Sequence, residues 1–180
     1  VSGSYLSNPS GDAVYFNTAS NYNTIIQSTA TSASAGSNAL RIIASSTNTV
    51  LNSYFQGSTA AYVSASQGTM IGGSVLIATG AAGSAIWLDG ANVNLSLATS
   101  TFKGGVQGAG IFMSPNNGGF ISLTSNTITG GRWGVSIATM TCGSCKGNLS
   151  ITSMTFSGPL TVGATAINFT GGTFTSTFTS

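Results

Sequence analysis

An all-β solenoid is the fold class that this sequence predicts, and three observations predict it. The first is a phrase, a small residue followed by a hydrophobic strand, that returns along the chain as Ala13-Val14-Tyr15-Phe16, Ala39-Leu40-Arg41-Ile42, Ala61-Tyr62-Val63-Ser64, Ala85-Ile86-Trp87-Leu88, Gly110-Ile111-Phe112-Met113, Gly134-Val135-Ser136-Ile137 and Ala166-Ile167-Asn168-Phe169. Its starts step by 26, 22, 24, 25, 24 and 32 residues, a period that assigns one supersecondary unit to each repeat. The second is a polar-bounded alternating segment between successive copies of that phrase. The third is that no segment carries a helical period.

The alternating segments run Thr24 to Gln27, Thr49 to Phe55, Thr69 to Val75, Val93 to Phe102, Phe120 to Ile128, Leu149 to Phe156 and Thr173 to Phe178. Period-two alternation, rich in β-branched and aromatic residues and bounded by Gly, Asn and Ser, reads as strand. Each repeat is therefore expected to run strand, turn, strand, turn. Residues 28–37, a run of Ser, Thr, Ala and Gly, have the composition of a loose loop.

Within the first phrase, Val14/Phe16, Leu40/Ile42, Ile86/Leu88, Ile111/Met113, Val135/Ile137 and Ile167/Phe169 should stack inward as rungs of a continuous core, with Tyr62 supplying the third rung. Tyr15, Arg41, Val63, Trp87, Phe112, Ser136 and Asn168 should then face outward, because successive side chains on a strand point to opposite sides. The 180 residues suit one domain, residues 1–180, of about seven coils with roughly 24 residues per coil, a rod about 34 Å long at about 4.8 Å per coil.

The clearest copy, Phe120-Ile121-Ser122-Leu123-Thr124-Ser125-Asn126-Thr127-Ile128-Thr129-Gly130-Gly131, resembles the repeat of the right-handed parallel β-helix, the fold of pectate lyases, phage tailspikes and many surface adhesins. The resemblance covers essentially the whole chain and implies a single-domain parallel β-helix. It implies a fold and not an activity. A left-handed hexapeptide helix is the nearest rival, but its strict six-residue period is absent.

Charge separates this chain from ordinary soluble domains, which carry about a quarter charged residues: it has no Glu and no His, two Asp, two Arg and two Lys. A net charge of +2 is too small and scattered for nucleic acid or an anionic membrane. The longest apolar stretch, Val75 to Leu88, is broken by Thr79, Gly80, Gly83 and Ser84 and falls short of the roughly 20 residues that a bilayer span needs. A soluble or assembled protein, extracellular or at the cell surface, is expected. The hydrophobic fraction of 41% is periodic, which disordered chains lack.

Catalysis fails on the supply of acids and bases. Polysaccharide-cleaving β-helices use clustered carboxylates, or calcium-binding Asp with an Arg or Lys base, whereas the acids here are Asp12 and Asp89. Three coils place them roughly 14 Å apart along the axis, beyond the about 5–9.5 Å of paired glycosidase carboxylates. No His exists to serve a hydrolytic triad. The expectation is a non-enzymatic protein without cofactor or metal.

Cys142-Gly143-Ser144-Cys145 lies in the longest step of the repeat. Zinc would need two further ligands, and a redox motif would open a helix. A local disulfide between Cys142 and Cys145 is the expected use, with intersubunit bridges the sharper alternative; Lys146 beside them is a weak signal for a lowered thiol pKa. Three N-x-Ser/Thr sequons, Asn94, Asn148 and Asn168, are glycosylation candidates. Asn94 and Asn168 should face outward between inward neighbours, and Asn148 should sit at a turn.

Tyr15, Trp87 and Phe112 share one outward column, with Trp133 close to it. Exposed rings on an uncharged surface mark association, and a stripe of rings can also stack sugars. Gly172 to Ser180 form an alternating stretch, including Phe174 and Phe178, with no charge to block strand addition. The sequence therefore favours an extracellular structural protein that polymerises with copies of itself into a filament, sheath or coat. One alternative is an ice-binding solenoid, although the outward pairs Asn94/Ser96, Ser122/Thr124, Ser150/Thr152 and Thr173/Thr175 are not a regular Thr-x-Thr face. Another is a carbohydrate-binding adhesin or tailspike-like module whose partners are glycans.

Overall fold

The computed structural model describes residues 1–115, 117, 120–138, 148–157, 165–170 and 175–179. Within them, hydrophobic residues at every second position and turn residues at short intervals build three parallel sheets that run side by side along one axis. Sheet I consists of Tyr5–Asn8, Thr29–Ser32, Tyr54–Gly57, Val75–Ala78, Thr101–Lys103, Thr127–Thr129 and Thr155–Ser157. Sheet II consists of Val14–Phe16, Asn38–Ile43, Thr59–Ser64, Ile86–Asp89, Ala109–Met113, Trp133–Ile137 and Thr165–Phe169. Sheet III consists of Thr24–Ile26, Thr49–Leu51, Met70–Gly72, Leu95–Ala98, Ile121–Thr124, Asn148–Thr152 and Thr175–Thr179. The chain visits I, II and III in turn, so each strand pairs with its equivalent one coil away. The expected all-β parallel solenoid of about seven coils is what forms, and no described residue is helical.

Each repeat holds three strands where the sequence pattern suggested two. The alternating segment is bent between sheets III and I by a two-residue corner in every coil, for example Asn52-Ser53 between Leu51 and Tyr54. The first corner residue takes the left-handed conformation, at Gln27, Asn52, Gly73, Thr99, Ser125 and Ser153, which costs most residues about 1–2 kcal/mol. A polar ladder offsets that cost. Ser28 N donates to Ser53 Oγ at 3.1 Å, Ser53 N to Ser74 Oγ at 3.1 Å, Ser74 N to Ser100 Oγ at 3.1 Å and Ser100 N to Asn126 Oδ1 at 2.9 Å. Each serine hydroxyl returns its proton to the carbonyl two residues earlier. Buried backbone N–H groups that no sheet can serve are thereby paired.

Inside, Leu40, Ala61, Ile86, Ile111 and Val135 stack in one column of sheet II, and Ile42, Val63, Leu88, Met113 and Ile137 in the next, all of them buried. Sheet I faces them with Ala30, Phe55, Leu76, Phe102 and Ile128. The small residue that opens each phrase is explained by this packing. A Cβ at Gly110 would lie 2.5 Å from Ile128 Cγ2, and one at Gly134 2.5 Å from Phe156 Cε1, so a large side chain on sheet I requires a small one at the start of sheet II.

Four expectations are corrected. Ala61 and Val63 are the inward residues of the third rung and Tyr62 faces outward, because Leu40 pairs with Ala61 and Arg41 with Tyr62. The doublet Ala60-Ala61 had shifted the phrase by one residue, and in a strand one residue reverses every side chain. Residues 28–37 are a loop only in part, since Thr29–Ser32 is a strand of sheet I with Ala30 buried and residues 33–37 connect it to sheet II. Asn94 is exposed, but at a left-handed corner (φ 53°) before the strand Leu95–Ala98 rather than within a strand. Asn148 opens the strand Asn148–Thr152 rather than sitting in a turn. Cys142, Cys145, Lys146 and Phe174, and the side chains of Asn148, Phe169 and Phe178, lie outside the described residues.

Candidate functional site

The outer face of sheet II gathers the chemistry of this otherwise bland surface. Strand pairing sets Tyr15, Arg41, Tyr62, Trp87 and Phe112 in one column, continued by Ser136 and Asn168. The rings touch edge to face, with centroids 6.1 Å apart for Tyr62–Trp87 and 5.1 Å for Trp87–Phe112, the geometry that aromatic quadrupoles prefer. The Arg41 guanidinium lies between two rings, 5.2 Å from the centre of Tyr15 and 5.7 Å from that of Tyr62. Trp133, on the neighbouring coil, carries the Arg132 guanidinium 4.8 Å from its centre. Trp87 keeps 39% of its surface exposed and Tyr15 47%.

Both acids of the chain belong to this face and both are engaged. Asp12 accepts from Asn38 N at 2.7 Å and Asn38 Nδ2 at 3.0 Å, and pairs with Arg41 at 3.2 Å. Asp89 accepts from the Tyr62 hydroxyl at 2.8 Å and from the Ser114 hydroxyl. Burial by itself would push the Asp89 carboxyl up, but the Ser114 and Tyr62 hydroxyls and the Gly90 N–H outweigh it and hold the carboxyl below its ordinary value. The Tyr62 phenol is pushed up by burial first and then by its bond to Asp89. Asp12, Arg41, Tyr62 and Asp89 thus form a chain of contacts, in which Arg41 Nε is buried without a hydrogen-bond partner. Among the described residues, no group of three or more His, Cys, Asp and Glu that could hold a metal occurs.

Two hollows open on this face, one on each side of Trp87. The first, about 370 Å³, is lined by Gly36, Asn38, Arg41, Thr59, Tyr62 and Trp87. It exists because a single residue, Ser58, joins sheet I to sheet II on this coil, whereas residues 33–37 and 79–85 make the same connection on the coils to either side. The second, about 220 Å³, lies among Trp87, Phe112 and Trp133, with Ala82, Ser84, Gln107, Gly108 and Ala109 completing its wall.

Of the residues singled out from sequence, Tyr15, Trp87, Phe112 and Trp133 are brought together here. Phe178 is carried by the sheet III strand Thr175–Thr179. Asn168 is on the same sheet, where its Nδ2 donates to Ser136 Oγ at 3.3 Å, and Asn94 is remote from it in the corner before sheet III. Sequence reasoning missed Tyr62, Asn38, Thr59 and Gln107. The short Gly57-Ser58 connection was the signal that would have placed Tyr62 correctly, since it moves the start of the third phrase to Ala60.

A family model described as "Right handed beta helix region" matches residues 1–156. No curated protein matches the chain. Among solved structures, the Streptococcus pneumoniae surface protein and adhesin PfbA aligns with 9% identity over 87% of this chain and 68% of its own, at a TM-score of 0.38.

Proposed function

The chain belongs to the right-handed β-helix family, and we propose that it is a non-enzymatic, extracellular surface module that binds a neutral glycan along the outer face of sheet II. The observation that carries this reading is the pair of hollows sharing Trp87 as a common wall. Discrete concavities lined by rings and by amide and hydroxyl groups suit sugars, which offer an apolar face and a polar edge. The charges of this face cancel, Asp12 and Asp89 against Arg41 and Arg132, and the Asp12 carboxylate already stands against the Arg41 guanidinium, so the face as a whole suits a neutral ligand better than an anionic one. A glycan array probed with the whole chain, followed by titration of the tightest ligand against Trp87→Ala, tests the reading. Neutral oligosaccharides should bind and the variant should not; absence of binding across the array would overturn it.

A second reading is self-association of copies through the same face into a filament or coat, favoured by exposed Tyr15 and Trp87 on a chain with only 3% charged residues. Sedimentation separates the two. Polymers that dissolve on Trp87→Ala, in a protein that binds no glycan, would establish the coat.

A further inference from the structure

The two hollows differ in chemistry although they share a wall. The first presents polar groups: the Asn38 amide, the Thr59 hydroxyl, the Tyr62 phenol and the Arg41 guanidinium. The second presents three rings, Trp87, Phe112 and Trp133, and the Ala82 methyl, with Ser84, Gln107 and the two indole N–H groups as its polar side-chain groups. A sugar unit decorated solely with hydroxyls would bury several of them there without partners, which is costly. A unit carrying an acetamido group would set its methyl among the rings and leave its amide for the Gln107 side chain.

The rim of the second hollow is held by backbone stacking. Gly80 to Gly83 and Gly105 to Gly108 form equivalent turns, each closed by an N–H to carbonyl bond of 2.9 Å, and Gly105 N donates to Gly83 O at 2.9 Å. The turns lie so close that a Cβ at Gly105 would come 2.0 Å from Gly80 O and one at Gly108 1.9 Å from Gly83 O. Such contact requires glycine and keeps Ala82 and Gln107 at fixed places on adjacent coils. The hollows follow one another along the axis, displaced by about two coils or roughly 10 Å, so one ligand reaches both only as an oligosaccharide laid parallel to the axis.

We infer that the glycan bound by sheet II is a neutral chain bearing acetamido groups, with a hydroxyl-rich unit in the hollow of Asn38, Arg41 and Thr59 and an acetamido group in the hollow of Phe112 and Trp133. This inference rests on the glycan-binding reading above.

The test uses neutral oligosaccharides in matched pairs that differ only in carrying an acetamido or a hydroxyl group at C2, such as N-acetylated chitotetraose and cellotetraose, titrated against the whole chain. The acetamido member of the best pair should bind at least about tenfold more tightly, a difference of 1.4 kcal/mol. Gln107→Leu and Trp133→Ala should each reduce that ratio to under about threefold, the acetamido member losing more affinity than the hydroxyl member. Gln107 is exposed on a turn, so its variant keeps the fold even if the Trp133 variant does not. Equal affinities within pairs, or a preference for the hydroxyl member, would overturn the acetamido assignment and leave the glycan reading standing. Failure of both members of every pair would overturn both.

Discussion

The outer faces of sheets II and III are wound from the same coils over the same core, yet the two hollows described above both open on sheet II. Sheet III presents Thr24, Thr49, Met70, Ser96, Ser122 and Ser150 in one column and Ile26, Leu51, Gly72, Ala98, Thr124 and Thr152 in the other, small or aliphatic and without a charge. Sheet II presents Tyr15, Arg41, Tyr62, Trp87 and Phe112, flanked by both acids. The connections explain the difference. The corner between III and I holds two residues in every coil, whereas the connections from I to II hold five, one, seven, five and three residues over the second to sixth coils. A constant corner makes a flat wall, and a varying one makes notches. Recognition needs concavity, so the candidate site falls where turn length varies.

The largest expected effect should not distinguish the two faces at all. Phe102 is fully buried on sheet I in the core beneath both, and Phe102→Ala should cost about 3–5 kcal/mol, read by thermal or denaturant unfolding. Loss of stability with one face still ordered and functional would show that the coils fold independently rather than as a stack.

Trp87→Ala sharpens the contrast. It removes the wall common to both hollows, so glycan affinity should fall by about thirtyfold or more, at least ~2 kcal/mol, with little change in melting temperature. The matching substitution on sheet III, Ser96→Ala, should leave binding unchanged and stability within about 0.5 kcal/mol. If the two variants weaken binding alike, sheet II has no special role.

A smaller effect belongs to the corner that keeps sheet III flat. In Ser74→Ala the Ser53 N–H loses its acceptor, and a buried unpaired donor should cost ~1–2 kcal/mol. Binding on sheet II should be unaffected.

These corners also explain what was legible in the sequence. Sheet II was read strand by strand because its phrases are long and start with the small residue that the core demands. Sheets I and III were read as one segment because two residues such as Asn52-Ser53 are too brief to interrupt an alternating pattern, and because five of the six left-handed positions named above are held by residues other than glycine. Of the site, the rings Tyr15, Trp87, Phe112 and Trp133 were visible as an outward stripe. The hollows were not, since they arise from Ser58 and its longer neighbours, whose effect appears only when coils stack. Tyr62 was placed inward by a register that the alanine doublet left ambiguous. The alternative ice-binding pattern, already irregular in the sequence, fares no better on sheet I, where the hydroxyl pairs Thr29/Thr31 and Thr127/Thr129 are separated by Tyr54/Gln56, Val75/Ile77 and Thr101/Lys103.

The smallest expected effect concerns pH, and again the two faces differ. The described strands of sheet III carry no carboxylate, amine or imidazole, while sheet II carries Asp89 and Tyr62. Asp89 has its folded pKa lowered, so its contribution is complete above the ordinary carboxylate value of about 3.9 and is lost only as pH falls through the lower folded value. Tyr62 has its folded pKa raised above 10.0, so its contribution is complete below that value and is lost as pH rises through the higher folded one. Stability should therefore be level from about pH 5 to 9, the span clear of both ordinary values, with one shallow limb in acid and one in alkali. Asp89→Asn should abolish the acid limb of the melting curve. A steep loss between pH 7 and pH 4 would require a titrating group beyond this pair, and an acid limb that survives Asp89→Asn would place its origin away from sheet II's Tyr62–Asp89–Ser114 contacts.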